Sequence, residues 1–240
     1  MCWNLEVSLG FAGIHLLAAI YVAWHRPPYS QCFLLFILFY FFMELLQALQ
    51  WFIGVESYLN QSCSKTNTFL TIIAYIFIWL QPIMFVSFAN KNNNRFAWYY
   101  SLHTLMIAMI NLIVGFYEKA TGLEMMKRNE KTNYGIYTCT YQGKDNHLVW
   151  KFAVSSFNYQ PTHYDYFSII LLTFILHYNR TLQSTIAAGW MITYFVSLWN
   201  IGDVNAELTS YWCLISVFAD IPIIIYTMIH AKKKNKQNID

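Results

Sequence analysis

Charge is what this 240-residue chain has least of: 11% of its residues are charged, against about 25% in a typical soluble domain. That scarcity excludes an ordinary soluble globular protein. Glycine and proline are scarce as well, at 9 and 5 residues, which excludes a collagenous or low-complexity chain. Five cysteines in 240 residues are too few for a disulfide-stapled miniprotein. The sequence has no phosphate-binding loop, no GxSxG, no HExxH and no CxxC, so the usual marks of nucleotide hydrolysis, serine hydrolysis, zinc proteolysis and thiol redox chemistry are missing. What it has in abundance is apolar surface, with 57% hydrophobic and 19% aromatic residues. This is the composition of an integral membrane protein.

A helix needs about 20 mostly apolar residues to cross a hydrocarbon core about 30 Å thick. Seven runs qualify: 5–24, 31–54, 68–90, 96–117, 161–178, 184–203 and 210–230. The charges avoid them: all 15 Lys and Arg lie outside, and only Glu6, Glu44, Asp165, Asp203 and Asp220 lie within. β-barrel strands would be shorter and would alternate in polarity. The expected fold is all-α, a polytopic membrane protein of seven transmembrane helices forming a single domain over 1–240. The fifth run is the shortest.

Basic residues in short loops stay on the cytoplasmic side. One set of connections carries Arg26, then Lys91 and Arg95, then Arg180, then Lys232, Lys233, Lys234 and Lys236, whereas the short connections of the opposite set carry only Lys65. The N-terminus is therefore expected outside and the C-terminus in the cytoplasm. The first run doubles as an uncleaved signal anchor, because it is too long for a signal-peptide core and lacks a small-residue cleavage pattern. Cys2, Cys63, Cys139 and Cys213 then fall outside or at the outer end of a span, with Cys32 near the inner face. Those four are the disulfide candidates, in any of three pairings or partly free. Asn60 of Asn60-Gln61-Ser62 is an outside glycosylation candidate, whereas Asn179-Arg180-Thr181 lies inside. The segment 118–160 is read as a folded extracytoplasmic lid. Tyr134, Ile136, Tyr137 and Tyr141 precede a Gln142-Gly143-Lys144-Asp145 turn, and His147, Leu148, Val149, Trp150 and Phe152 follow it, which predicts a hairpin that Cys139 can tether to a helix end.

A charged group near the bilayer centre costs about 2.5–3.5 kcal/mol on insertion scales and is normally turned inward and partnered. Glu44 lies midway along the second run and Asp220 at the middle of the seventh. His15 is central in the first run, Gln81-Pro82 in the third, and His103 a little inward of centre in the fourth. At about 100° per residue, Glu44, Gln47 and Trp51 share one helix face with Gln50 on its shoulder, and Cys213, Ser216, Asp220 and Thr227 fall within about 60° of one another. With no Lys or Arg in any run, such a carboxyl needs a proton, or an imidazolium from His15 or His103. The ligand- or ion-site candidates are Glu44, Gln47, Gln81, Asp220, His15 and His103. Two readings stay open. These groups are hydrogen-bonded helix glue, at about 1 kcal/mol each, or they hold a proton, a metal ion or a polar ligand. Pro82 and Pro222 should kink their helices. Gly189, Thr193 and Ser197, and likewise Thr104, Ala108, Asn111 and Gly115, form small-residue packing seams.

A retinal protein needs a Schiff-base lysine in the last span, which has none, and a seven-helix zinc amidase needs paired His there, where only His230 stands, at the inner edge. No catalytic residue, cofactor or metal is assigned, and a non-enzyme is expected over an enzyme. The basic tail reads as topogenic or lipid-facing, so no nucleic-acid partner is expected. Met1-Cys2-Trp3 with Glu6-Val7-Ser8, Met43-Glu44-Leu45-Leu46-Gln47, and the stretch from Tyr75 ending in Leu80-Gln81-Pro82 resemble an uncharacterised family of seven-pass integral membrane proteins found in large DNA viruses, protists and bacteria. The resemblance covers mainly residues 1–90 and implies a seven-pass fold, no established activity, and a shared pattern of Cys2, Glu44, Gln47, Gln81 and Pro82. The expected partners are the lipid bilayer and a small polar ligand or ion, and the expected location is a cellular membrane, a viral envelope or a host membrane. Three functional classes follow: a bundle that binds or moves a small polar solute, ion or proton at a midplane site; a non-catalytic structural or interaction component; or a receptor-like protein with the lid over an outward pocket.

Overall fold

The computed structural model describes residues 4–57, 63–88, 95–121, 134–143, 146–155, 165–166, 168–169, 180–201 and 208–237. Over these the chain is mostly helical (81%). In chain order the elements are α1 (Leu5–His25), α2 (Ser30–Ile53), β1 (Glu56–Ser57), α3 (Lys65–Phe88), α4 (Arg95–Thr121), β2 (Cys139–Gln142), β3 (Leu148–Lys151), α5 (Arg180–Ile201), α6 (Leu208–Ile215), a 3-10 turn (Ser216–Ala219) and α7 (Asp220–Gln237). Among the described residues five helical stretches are long and apolar enough to cross a membrane: Leu5–His25, Ser30–Ile53, Lys65–Met84, Arg95–Glu118 and Leu208–Lys233. A helix, α5, covers most of the sixth run but is not one of those five. The fifth run, 161–178, lies outside the described residues except for Asp165, Tyr166, Ser168 and Ile169.

Helix α1 turns its small residues inward and its large ones outward, whereas α2 buries Phe33, Phe36, Tyr40 and Met43. On α1 the buried residues are Ser8, Ala12, His15, Ala18, Ala19 and Val22, while Leu9, Leu16, Leu17, Ile20 and Trp24 are exposed. Small residues inward and large aliphatics outward let backbones approach where no hydrophobic drive separates helix from surroundings. α1 accordingly packs most extensively on α2. Asn4 caps α1 by accepting the Val7 N–H at 2.9 Å. The turn into α2 is tight, with Arg26 and Tyr29 at φ 45 and 65 on either side of Pro27-Pro28. The Arg26 N–H closes α1 on the Val22 carbonyl at 2.9 Å.

The last run is divided where a single kinked helix was expected. α6 ends at Ile215, the 3-10 turn follows, and α7 begins at Asp220. Pro222 is the third residue of α7, where its missing N–H needs no intrahelical acceptor, so the proline starts a helix instead of kinking one. Gly189 of α5 faces this break: a Cβ there would lie 3.3 Å from Pro222 Cγ and 3.5 Å from Ala219 Cα. α3, by contrast, continues through Pro82.

The expected hairpin is present as β2 and β3, antiparallel with Thr140 opposite Trp150. The Gly143 N–H donates to the His147 carbonyl at 2.8 Å, and Asn146 takes a positive φ of 58 to complete the turn. A third strand, β1, joins β2 in parallel. Thr140 is the hub that fastens this sheet to the helices. Its backbone exchanges two hydrogen bonds with the Asn67 side chain at 2.8 and 2.9 Å, and its hydroxyl meets Thr71 at 2.7 Å and the Gln50 amide at 2.9 Å. Gln50 in turn accepts the Trp150 indole N–H at 3.1 Å. Leu148 is seated among Val7, Phe11, Trp51 and Val55, and its carbonyl accepts from the Ser210 hydroxyl. The α4 seam receives the extension of β3 along with its helix neighbours: the Ser155 N–H donates to the Asn111 carbonyl at 2.9 Å, and Gly115 abuts Ala153.

Cys63 and Cys139 form a disulfide with Cα atoms 5.9 Å apart, closing a separation of 76 residues. Cys213, named above as a disulfide candidate, is instead a free buried thiol, because α6 carries it into the bundle against Gln81. Cys2 lies outside the described residues. Replacing Cys139 with Ser should cost about 2–5 kcal/mol of stability. A thermal midpoint in detergent equal to that of the parent protein would show the bridge to be idle. Gly115→Ala should cost about 1–3 kcal/mol by overpacking, since the added methyl would lie 2.3 Å from the Ala153 carbonyl oxygen. Gly10→Ala, with nothing within 4 Å of the new methyl, serves as control, and equal midpoints for the two variants would contradict the close approach.

Candidate functional site

Tyr40, Glu44 and Gln47 follow one another at four- and three-residue spacing on α2 and are all buried, the pattern of a single helix face. α1 meets that face with its small-residue stripe, and this brings His15 against Tyr40, their rings stacked with centroids 6.0 Å apart. His15 Nδ1 lies 2.6 Å from Asp220 Oδ2 in a buried contact. Residue exposures of 0% for His15, 0% for Glu44 and 3% for Asp220 put all three inside the protein. Asp220 reaches His15 because the 3-10 turn ends there and makes it the first residue of α7.

A second group adjoins the first. The Glu44 carboxyl is within electrostatic reach of the Cys213 thiol, which shares a hydrogen bond with the Gln81 side chain. Gln81 Oε1 accepts from the Tyr166 hydroxyl. The Tyr166 hydroxyl is itself within electrostatic reach of Tyr40 and Cys213. The Ser216 hydroxyl donates to the Cys213 carbonyl at the start of the break. Five elements or segments thus contribute polar groups: α1, α2, α3, the segment around Tyr166, and the broken last helix.

Among the described residues both oxygens of Glu44, Nε2 of His15 and Oδ1 of Asp220 are buried without a hydrogen-bond partner. A buried polar atom without a partner costs about 1–3 kcal/mol, and more when it carries charge. Such atoms in a native fold call for water, a ligand or a protonation change. No group of three or more His, Cys, Asp or Glu among the described residues is arranged to hold a metal ion. The arrangement therefore offers proton-exchanging and hydrogen-bonding atoms at separate points.

Of the six candidate residues, the structure joins His15 to Asp220 directly, while the Glu44 carboxyl is bonded to none of the others among the described residues. Gln47 is buried one turn from Glu44 on the same face. His103 is not part of the cluster. It is exposed on α4, whose inward residues are Ser101, Thr104, Ala108 and Asn111, about 80° or more around the helix from it. Gln50 serves the lid. Tyr40, Tyr166 and Cys213 were not among the ligand-site candidates. Extending the Glu44–Gln47 stripe back by four residues would have found Tyr40, but the sequence around Tyr166 carries no comparable periodic signal.

The chain is 34% identical over 242 residues to an uncharacterised protein of Acanthamoeba polyphaga mimivirus, with 95% of this chain and 96% of that one covered. No solved structure matches it. The match to a family model runs well past the first 90 residues, where the motif resemblance is concentrated, and covers residues 6–237; the chain belongs to the family of unknown function DUF5765.

Proposed function

We propose that this chain is a seven-pass integral membrane protein, N-terminus outside, that binds or moves a small polar solute, ion or proton at an internal site formed by His15, Glu44, Gln81 and Asp220. The crossing number is supported by what gathers at the lid. Leu148 touches the beginning of α1 and the end of α2, Thr140 is clamped to the beginning of α3, and Ser155 bonds to Asn111 and Glu118 towards the end of α4. Ser210 ties the beginning of α6 to the same place, and Asn200, near the end of α5, meets Tyr211 at 3.0 Å. α4 and α5 both end at the lid, which supports reading the fifth apolar run as a further span. The basic residues of the short connections sit at the opposite end, which by the positive-inside rule is the cytoplasmic one.

Glu44 carries the functional part of this reading. Interhelical glue contributes about 1 kcal/mol when its bonds are made, whereas leaving a buried carboxyl without partners costs at least as much and usually more. Helix packing alone does not account for a carboxyl with both oxygens unpartnered among the described residues. A second reading, a non-catalytic membrane component, is favoured by the lid itself: a hydrogen-bonded sheet with a disulfide makes a rigid outer surface on which Ile136 is exposed.

Two measurements separate these readings. Whole-cell current or solute uptake mediated by the expressed chain should fall to background in Glu44→Gln and Asp220→Asn; transport equal to that of the parent protein in both variants would sink the internal-site reading and leave the lid as the working surface. For the topology, a glycosidase-sensitive gel shift that disappears in Asn60→Gln is expected, and a glycan on Asn179 instead would reverse the orientation.

A further inference from the structure

We infer that the end of the bundle opposite the lid binds anionic phospholipid headgroups, where the Arg26 turn and the lysine-bearing end of α7 emerge side by side. This rests on the membrane-spanning part of the reading above and is independent of the internal site. Depth is the first observation. His15 is the central residue of α1, and its contact with Asp220 sets the register of α1 against α7. α1 starts beneath Leu148, and α7 carries Tyr226 to Phe33 near the start of α2, so both helices run away from the lid. At 1.5 Å per residue, Arg26 and Lys232 emerge about 16–18 Å beyond the His15–Asp220 pair. A hydrocarbon core extending about 15 Å to each side of its centre gives way to headgroups at that depth. The Tyr226 ring packs edge-on against Phe33 at 5.6 Å and tilted against His230 at 4.6 Å, and the Tyr29 hydroxyl lies within electrostatic reach of Tyr226. The turn that carries Arg26 therefore sits beside α7.

Charge is the second observation. Among the described residues this end carries Arg26, Arg95, Arg180 and the four lysines of α7, at 232, 233, 234 and 236, and the stretches 25–30, 95–98, 180–183 and 226–237 contain no Asp or Glu. Asp165 accepts the Tyr100 hydroxyl at 3.0 Å, more than a turn further into the bundle than Arg95. The lid end is balanced among the described residues, with Glu6, Glu56 and Glu118 against Lys65, Lys119 and Lys151. Aromatic side chains are the third. Trp24, Phe96 and Tyr99 are exposed next to Arg26 and Arg95, as in the aromatic belts that lie at headgroup level. Orientation alone needs only charge in a short connection. Here α7 runs unbroken past the apolar run to Gln237, which carries its lysines on a helix at fixed depth, with Lys232 and Lys233 exposed. An anionic membrane surface attracts such a segment by a factor of about five for each Lys or Arg held at it. By the positive-inside rule this end faces the cytoplasmic leaflet, which is the anionic one. Charge complementarity therefore selects anionic phospholipids over zwitterionic phosphatidylcholine.

The test uses the full chain reconstituted in phosphatidylcholine vesicles with a trace of spin-labelled phosphatidylserine or spin-labelled phosphatidylcholine. The fraction of each label immobilised at the protein gives their relative affinity. Phosphatidylserine should be preferred at least about threefold at low salt, and the preference should collapse towards unity in about 1 M salt. The combined variant Lys232→Gln, Lys233→Gln, Lys234→Gln and Lys236→Gln should lose most of the preference and Arg26→Gln part of it, whereas Lys65→Gln at the lid end should keep it in full. A parent protein that holds both labels equally overturns the inference, and that outcome needs no variant to fold or insert. So does a preference that survives the four lysine changes combined with Arg26→Gln at an unchanged thermal midpoint. Salt-sensitive binding of RNA by the detergent-solubilised parent through the same lysines, without a lipid preference, would overturn it in favour of a nucleic acid. Release of the chain from membranes by alkaline carbonate would remove the membrane-spanning reading itself, whereas retained protein without a lipid preference sinks this inference alone.

Discussion

The hydrogen bonds that converge on Thr140 hold the lid end of the bundle together. A threonine on a short strand is tied through its backbone to Asn67 and through its hydroxyl to Gln50 and Thr71, so β2 is locked to α2 and α3 at one residue. The Asn67 amide presents one donor and one acceptor to that backbone, as a neighbouring strand would, which allows a sheet to end on a helix without orphaned groups. From this clamp the rest follows. β3 is paired to β2, Leu148 on β3 drops between α1 and α2, and its carbonyl fixes the beginning of α6. The disulfide stands one residue from Thr140 and closes the same joint covalently.

The network around Thr140 and the buried cluster around His15, Glu44 and Asp220 obey opposite rules in the same protein interior. In the first, donors and acceptors are matched between Gln50, Asn67, Thr71, Thr140 and Trp150, and the outcome is rigidity. In the second, a strong contact between His15 and Asp220 coexists with carboxyl oxygens that have no partner among the described residues. Satisfied polar networks specify a structure, whereas incompletely satisfied ones are costly and persist where something other than stability is being met.

The long apolar helices were legible because hydropathy is a one-dimensional signal: α1 and α2 begin and end within a residue of the runs that predict them. Side-chain facing was legible only in part. His15 and His103 are both mid-run histidines, and they differ in their helix faces. Ser8, Ala12 and Ala19 make an inward stripe that includes His15, while the corresponding stripe on α4 passes His103 by. For Cys213 the sequence left bridged and free open, and the structure has it free and buried. The 3-10 break escaped because Pro222 signals only that a helix cannot run on unaltered, and two arrangements, a kink or a restart, satisfy that constraint. β1, two residues long, has no alternation to detect.

The restart at Asp220 makes the two deep carboxyls unlike each other. Asp220 opens α7 with its own N–H engaged by the preceding turn and one carboxyl oxygen set against the His15 ring. Glu44 lies in the middle of α2, where every backbone N–H is committed to the helix. Had the last span been one continuous helix, Asp220 would have been a second mid-helix acid, and the bundle would hold two equivalent carboxyls. Instead the break, packed against Gly189 where there is no Cβ to obstruct it, gives one acid a fixed imidazole partner and leaves the other without one among the described residues. Two acids of equal standing would compete for one role; an unequal pair can divide it.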